Sequence, residues 1–363
     1  MILGRTLFSI NGHVLLSAGA ELNQTYIKRL QALGFTSVPV KEHFCDGLIF
    51  KDPVSEKARI DGVVTLKDIF AEAQKYKRLD TKAVKTLVNR LVDEIMQNRY
   101  LLFETPDIRT YDGYVYAHCI NVCIMALRVG IYLNYNEFQL RDLGVGAILH
   151  DIGVVFVDQR VVEKAGPLVS AEMEQIQLHS INGFNLLREQ NDINLLSAHV
   201  AFQHHERIDG SGYPRNMKST EICEFARIVA IADAFDAMTN ERKHRKGFSF
   251  KAAADNLRSE AGVRLDSELT ELFLKNVATY PTGSLVSLNT GELGVVVSNS
   301  RNHISRPVVR ILADSENRIV APTTTKEVDL RLEKELQITN IIEDDNQIIS
   351  SVCQAYDNRQ RAV

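Results

Sequence analysis

The sequence is poor in proline, with 8 in 363 residues, and its 5 cysteines form neither zinc-type pairs nor a disulfide framework. A stapled secreted scaffold is thereby excluded, and a reducing compartment fits. Net charge is small, at -4, which argues against a nucleic-acid coat, so no nucleic-acid polymer is expected as a partner. No run of about 18 uncharged apolar residues occurs, and the first five residues begin no apolar signal core. Neither membrane insertion nor export is therefore expected, and the cytoplasm is the expected location. Internal repeats and low-complexity runs are missing as well.

What remains is a globular composition, 45% hydrophobic and 24% charged, over a length that calls for two or three domains. Residues 1–58 read as a small β/α module and linker. Asn11-Gly12 is a hairpin signal between Thr6–Ile10 and Val14–Ser17, Asn23 caps a helix, and Val38–Val40 reads as a closing strand. The stretch 46–65 is charged and irregular, as a linker would be. Residues 59–282 read as all-α, with helices expected at Lys67–Lys77, Thr81–Asn98, Tyr114–Leu133, Leu140–His150, Ser170–Glu189, Ile193–His205, Ile222–Asn240, Phe250–Ala261 and Ser267–Val277. On the second of these, Val84, Leu87, Val88, Leu91, Val92 and Ile95 form one stripe, either core or the seam of a homodimer. Strand-like runs at Ser284–Leu288, Gly294–Val297 and Pro307–Leu312 make 283–343 a small β module, and 344–363 a polar tail. The fold class is mainly α, a multi-helix bundle between two small terminal modules.

Six of the ten histidines (His118, His150, His179, His199, His204, His205) fall on helices that otherwise bury Leu, Ile and Ala. A buried imidazole needs a partner or a metal, and several beside carboxylates favour the metal. His150-Asp151 ends an apolar helix, and neighbouring residues there point about 100° apart. The histidine can then serve one ion while the carboxylate bridges two, which suits ions about 3.5–4 Å apart. Imidazole and carboxylate without thiolate favour iron or manganese, with zinc also compatible. His204-His205 repeats the device. Asp233 lies in an apolar helix, as a ligand or as the partner of an arginine such as Arg227. Cys119 and Cys123, beside His118, are read as buried thiols before ligands. The loop from Asp209 to Pro214 bends away through two glycines and presents Tyr213, suited to stacking on a base or packing the loop. The basic run Arg242–Lys246 is a solvated helix end or a phosphate-facing rim.

These residues carry a resemblance to the HD-GYP domain family, metal-dependent cyclic di-GMP phosphodiesterases of the HD superfamily. It runs from His118 through His150-Asp151-Ile152-Gly153, His179, His204-His205-Glu206, Asp209–Pro214 and Ala232–Thr239 to Gly262. The resemblance implies an HD-type bundle and two metal ions held by His118, His150, Asp151, His179, His204, His205 and Asp233, with Asp151 bridging. It implies catalysis at His150 and Asp151, and cyclic di-GMP contacts from Asp209, Gly212, Tyr213, Pro214, Arg242 and Arg245. The linear dinucleotide is the expected product, with further cleavage to GMP open, and signalling partners are expected at the terminal modules. Three departures stand out. Val154 replaces the family's lysine after His-Asp-x-Gly, Tyr114 stands where some members have a third-metal glutamate, and Arg215–Ser219 and Cys223 replace glycines and a proline. Losing a preorganised cation commonly costs about 10²–10³ in rate. The runner-up is thus a binder of metal and cyclic di-GMP with little turnover. A phosphohydrolase acting on other nucleotides or hybrid cyclic dinucleotides is a third reading.

Overall fold

The structure, a computed structural model, describes every residue except 36, 105–113, 163, 165, 241–246, 317, 321–324, 343–351 and 353–363. The N-terminal module comprises β1 (Ile2–Leu3), β2 (Leu7–Phe8), β3 (Val14–Leu16), α1 (Gln24–Ala32) and β4 (Val40–Lys41). β2 and β3 pair across the Asn-Gly turn, where Gly12 takes the positive φ (+78°) that such a turn requires. The Asn23 side chain accepts the Tyr26 N–H at 2.9 Å and starts α1. β4 closes against β1.

The helical region begins earlier than the sequence pattern suggests. α2 spans Glu56–Tyr76, so the supposed linker ends at its cap, Ser55. Its first turns escape notice because their buried stripe is Ala58, Arg59 and Gly62 rather than large apolar residues. Gly62 is needed for close approach, since a Cβ there would lie 2.7 Å from Ile120. α3 (Thr81–Gln97) buries its whole apolar stripe in this chain's own core, against α2, α4 (Tyr114–Tyr132) and α5 (Glu137–Ile148). Each of those side chains contributes roughly 1.5–3 kcal/mol there, and the stripe is not free to form a dimer seam.

α4 is the axis of the bundle. It is long and apolar enough to cross a membrane, but 78% of that window is buried inside the protein, and it carries Arg128. Besides α2, α3 and α5, α9 (Glu224–Thr239) and α11 (Ser267–Leu274) pack on it, whereas α6 (Gln159–Val162), α7 (Ser170–Arg188), α8 (Leu195–Gln203) and α10 (Phe250–Glu260) pack chiefly on other helices. The C-terminal sheet contains β5 (Leu285–Leu288), β6 (Leu293–Ser298), β7 (Val308–Ala313), β8 (Glu327–Asp329) and β9 (Ile338–Ile341). Its order is β8-β7-β6-β5-β9, every pairing antiparallel. β8 and β9 are short and half polar, so no alternating pattern announced them. Phe44 packs with Val295, Leu312 and Val352, which joins the N-terminal segment to this sheet.

Candidate metal centre

α5 stops at Ile148, and His150 and Asp151 occupy the turn before a 3-10 helix, Ile152–Phe156. Gly153 fixes how deep that turn sits, because a Cβ there would come within 1.9 Å of the His179 carbonyl oxygen. Glycine thus lets the turn lie against α7 and brings Asp151 beneath His179. His204 caps α8, His205 follows, and Asp233 and His118 come from α9 and α4.

Two groups of ligand atoms result. His118, His150 and Asp233 form one, and Asp151, His179, His204 and His205 the other, the atoms of each lying within 4.8 Å of one another. Asp151 faces both. Its Oδ1 lies 3.4 Å from His179 Nε2 and 3.5 Å from His204 Nε2. Its Oδ2 lies 3.4 Å from His150 Nε2 and 3.8 Å from His118 Nε2. Asp233 divides its oxygens likewise, Oδ1 at 3.2 Å from His118 Nε2 and Oδ2 at 3.9 Å from His205 Nδ1.

The hydrogen-bond network assigns the tautomers. Nδ1–H donates to the Ala147 carbonyl from His150 (2.8 Å), to Ile176 from His179 (2.6 Å) and to Val200 from His204 (3.0 Å). His118 Nδ1 donates to Asp236 Oδ2 at 2.7 Å. A carbonyl only accepts, so in the neutral rings the proton is on Nδ1 and Nε2 bears a lone pair. The lone pairs of His179 and His204 meet face to face at 3.2 Å, while His118 Nε2 lies 3.3 Å from His150 Nε2 and 3.2 Å from Asp233 Oδ1. Opposed lone pairs repel unless a cation lies among them, and a ligating histidine characteristically donates its other N–H in this way. The donor set therefore fits divalent metal.

Electrostatics agree. Burial raises the carboxyl of Asp151, but His150 and its fellow imidazoles outweigh that and hold it well below the usual range. Asp233 is depressed in the same way, chiefly by His118 against burial. Burial, reinforced by His204, pushes His205 well below an ordinary histidine and leaves it neutral. Burial also opposes charge on His118, yet Asp233 and Asp236 hold it well above the ordinary value. The site is thus two anionic carboxylates among imidazoles.

Over the second group lies the loop. Buried Glu206 pins it by accepting the N–H groups of Arg215 (2.7 Å) and Met217 (2.9 Å). Gly212 is required, since a Cβ would sit 2.4 Å from the His205 carbonyl oxygen. The Tyr213 ring stacks on His205 with centroids 4.7 Å apart. Burial and the nearby Asp151 and Asp233 carboxylates push its phenol up, so it keeps its proton. Pro214 follows through a cis bond, half-buried, while Asp209 is exposed and accepts the Ser211 N–H at 2.9 Å.

Other expected participants lie elsewhere. His199 packs on Phe184 and Phe202 and joins neither group. Arg227 pairs with Asp266, not Asp233. Tyr114 stacks on His118, rings 5.7 Å apart. Cys119 and Cys123 are buried outside both groups. Val154 is half-buried on the 3-10 turn, and Lys164 is bound to Glu172 at 2.6 Å. Arg242 and Arg245 lie outside the described residues. Sequence reasoning assigned no role to Glu206, Asp236 or Asn121. The signal for the last two was their spacing, three residues after Asp233 and His118 and so on the same helix faces.

The bundle and its centre define a class, and similarity to known proteins agrees. Residues 94–269 match the HD domain, and residues 285–350 match a KOW domain associated with HD domains. Just under half of the chain is thus similar to the HD domain. It is 30% identical over 254 residues to a cyclic di-GMP phosphodiesterase of Pseudomonas aeruginosa, covering 70% of this chain and 61% of that one. A cyclic di-GMP phosphodiesterase of Thermotoga maritima is 34% identical over 183 residues, 50% of this chain and 48% of its own. A 3'3'-cGAMP-specific phosphodiesterase of Vibrio cholerae is 30% identical over 190 residues, 52% of this chain and 43% of its own. The chain thus spans less than two thirds of each of these relatives.

Proposed function

We propose that this chain is a two-metal phosphodiesterase that hydrolyses cyclic di-GMP to the linear dinucleotide. The observation that carries the reading is Asp151, whose two oxygens face two separate ligand groups. Two divalent cations, iron or manganese before zinc, would be held by His118, His150 and Asp233 and by His179, His204 and His205, with Asp151 common to both. Bound there, such ions activate water and neutralise charge on a phosphoryl group.

The protein's own groups prepare that chemistry. Backbone carbonyls and Asp236 lock the imidazoles with Nε2 inward, so no reorganisation is needed when substrate arrives. Tyr213, still protonated, supplies a ring and a donor above His205, where a guanine or a phosphate oxygen can meet it. Asp209, Gly212 and Pro214 shape the same loop, and Arg242 and Arg245 are proposed to reach the phosphates.

The relatives' names support a cyclic dinucleotide phosphodiesterase over a binder without turnover, and the full ligand set supports it too. Val154 is what favours slow turnover. The Vibrio cholerae relative makes a hybrid cyclic dinucleotide the second substrate to test. A cytoplasmic signalling role, with an N-terminal module and a C-terminal β module that meet protein partners on either side of the helical domain, completes the proposal. Reduced protein loaded in turn with iron, manganese and zinc should release linear dinucleotide from cyclic di-GMP, faster than from 3'3'-cGAMP. Binding without product under all three metals would sink the enzyme reading.

A further inference from the structure

Behind His118 a line of buried polar groups leads out of the centre and into the segment before α2. Asp236 accepts His118 Nδ1–H with one oxygen at 2.7 Å and the Asn121 amide with the other at 2.9 Å. The Asn121 oxygen accepts Arg59 Nη1–H at 2.7 Å, and Arg59 Nη2–H donates to Asp52 at 2.7 Å. Arg59 is 4% exposed, Asn121 0% and Asp236 2%, so water does not compete along this line. Phe103 covers the guanidinium at 5.5 Å. Asp52 and Arg59 both precede residue 94, where the HD match begins.

We propose that Arg59 is a positioning residue for the metal ligand His118, acting through Asn121 and Asp236. The inference rests on the two-metal reading above. Its physical basis is direction. A guanidinium donates only, so Asn121 must turn its oxygen towards Arg59 and its NH₂ towards Asp236. Asp236 is then an acceptor on both oxygens, which fixes the His118 ring with Nδ1–H towards it and Nε2 towards the centre. Asp52 anchors the other end of the fork. Without Arg59 the Asn121 oxygen is buried with that donor gone, and the line that holds His118 loosens. In the second ligand group His179 and His204 lean instead on carbonyls of their own helices.

The test measures stepwise binding of Mn(II) to the full chain by competition with a chelator, alongside thermal unfolding. His118→Ala first identifies which step belongs to the His118 group. Arg59→Met should weaken that step by about 10-fold, as outer partners of metal ligands do, and leave the other within about 2-fold. In an Asp236→Asn background Arg59→Met should have no further effect, because the line is already cut. If Arg59→Met unfolds the chain, Arg59→Lys, which keeps the charge but not the fork, should show a smaller loss at the same step. Two unchanged steps in a folded Arg59 variant overturn the proposal and spare the two-metal reading. Equal weakening of both steps, or the same loss with and without Asp236→Asn, overturns it as well. Wild-type protein that binds no metal overturns both.

Discussion

The two halves of the centre are built from similar side chains yet held differently. His118, in the first half, leans on a carboxylate, Asp236, which is tied through Asn121 and Arg59 to the segment before α2. The second half leans on backbone carbonyls of α7 and α8 and is roofed by the Tyr213 loop. A carbonyl cannot move without its helix, whereas a carboxylate answers to its own neighbours. His118 is therefore the ligand that distant residues can adjust, and the second half is the one proposed to meet substrate. Asp151 belongs to both, and it is where the comparison can be broken.

Asp151→Ala should have the largest effect. Metal analysis should find both ions depleted, and hydrolysis of cyclic di-GMP should fall by more than about 10³-fold, the upper range for one electrostatic element. His118→Ala and His179→Ala should each remove one ion, from opposite halves, with turnover down by about 10²–10³-fold. Loss of both ions from either variant would mean that the halves are not separable. Gly153→Ala tests the packing that joins them. Its Cβ would meet the His179 carbonyl at 1.9 Å, so denaturant unfolding should show a loss of about 3 kcal/mol, at the upper end of overpacking costs. Tyr213→Ala touches the second half alone, and should lower kcat/KM by about 10-fold through lost stacking while both ions stay bound. Val154→Lys should raise turnover by several-fold, short of the roughly 10²-fold that a fitted donor supplies. An unchanged rate would pass the missing role to another cation, Arg245 before Lys164, since Lys164 is paired with Glu172.

The proposed ligands stand out in the sequence because burying such groups is costly. His-Asp and His-His at the ends of apolar helices are stable only beside a charge, a hydrogen-bond partner or an ion. All seven proposed ligands fall within the two groups. The stripe on α3 was equally legible as apolar, but not what it faces; packing on α2, α4 and α5 decided that. Arg59 falls in a stretch that reads as a charged linker, because charge on a sequence says nothing about burial. Asp236 and Asn121 carried a readable spacing, but their roles depend on atoms meeting across α4 and α9, which no local pattern states. β8 and β9 are too short and polar to alternate, so their pairing with β7 and β5 is tertiary information.

Anomalous diffraction from crystals grown with manganese would test the centre most directly. Two peaks are predicted, one among His118, His150 and Asp233 and one among His179, His204 and His205, about 3.5–4 Å apart, with an Asp151 oxygen on each. A single peak, or two peaks that do not share Asp151, would contradict the account.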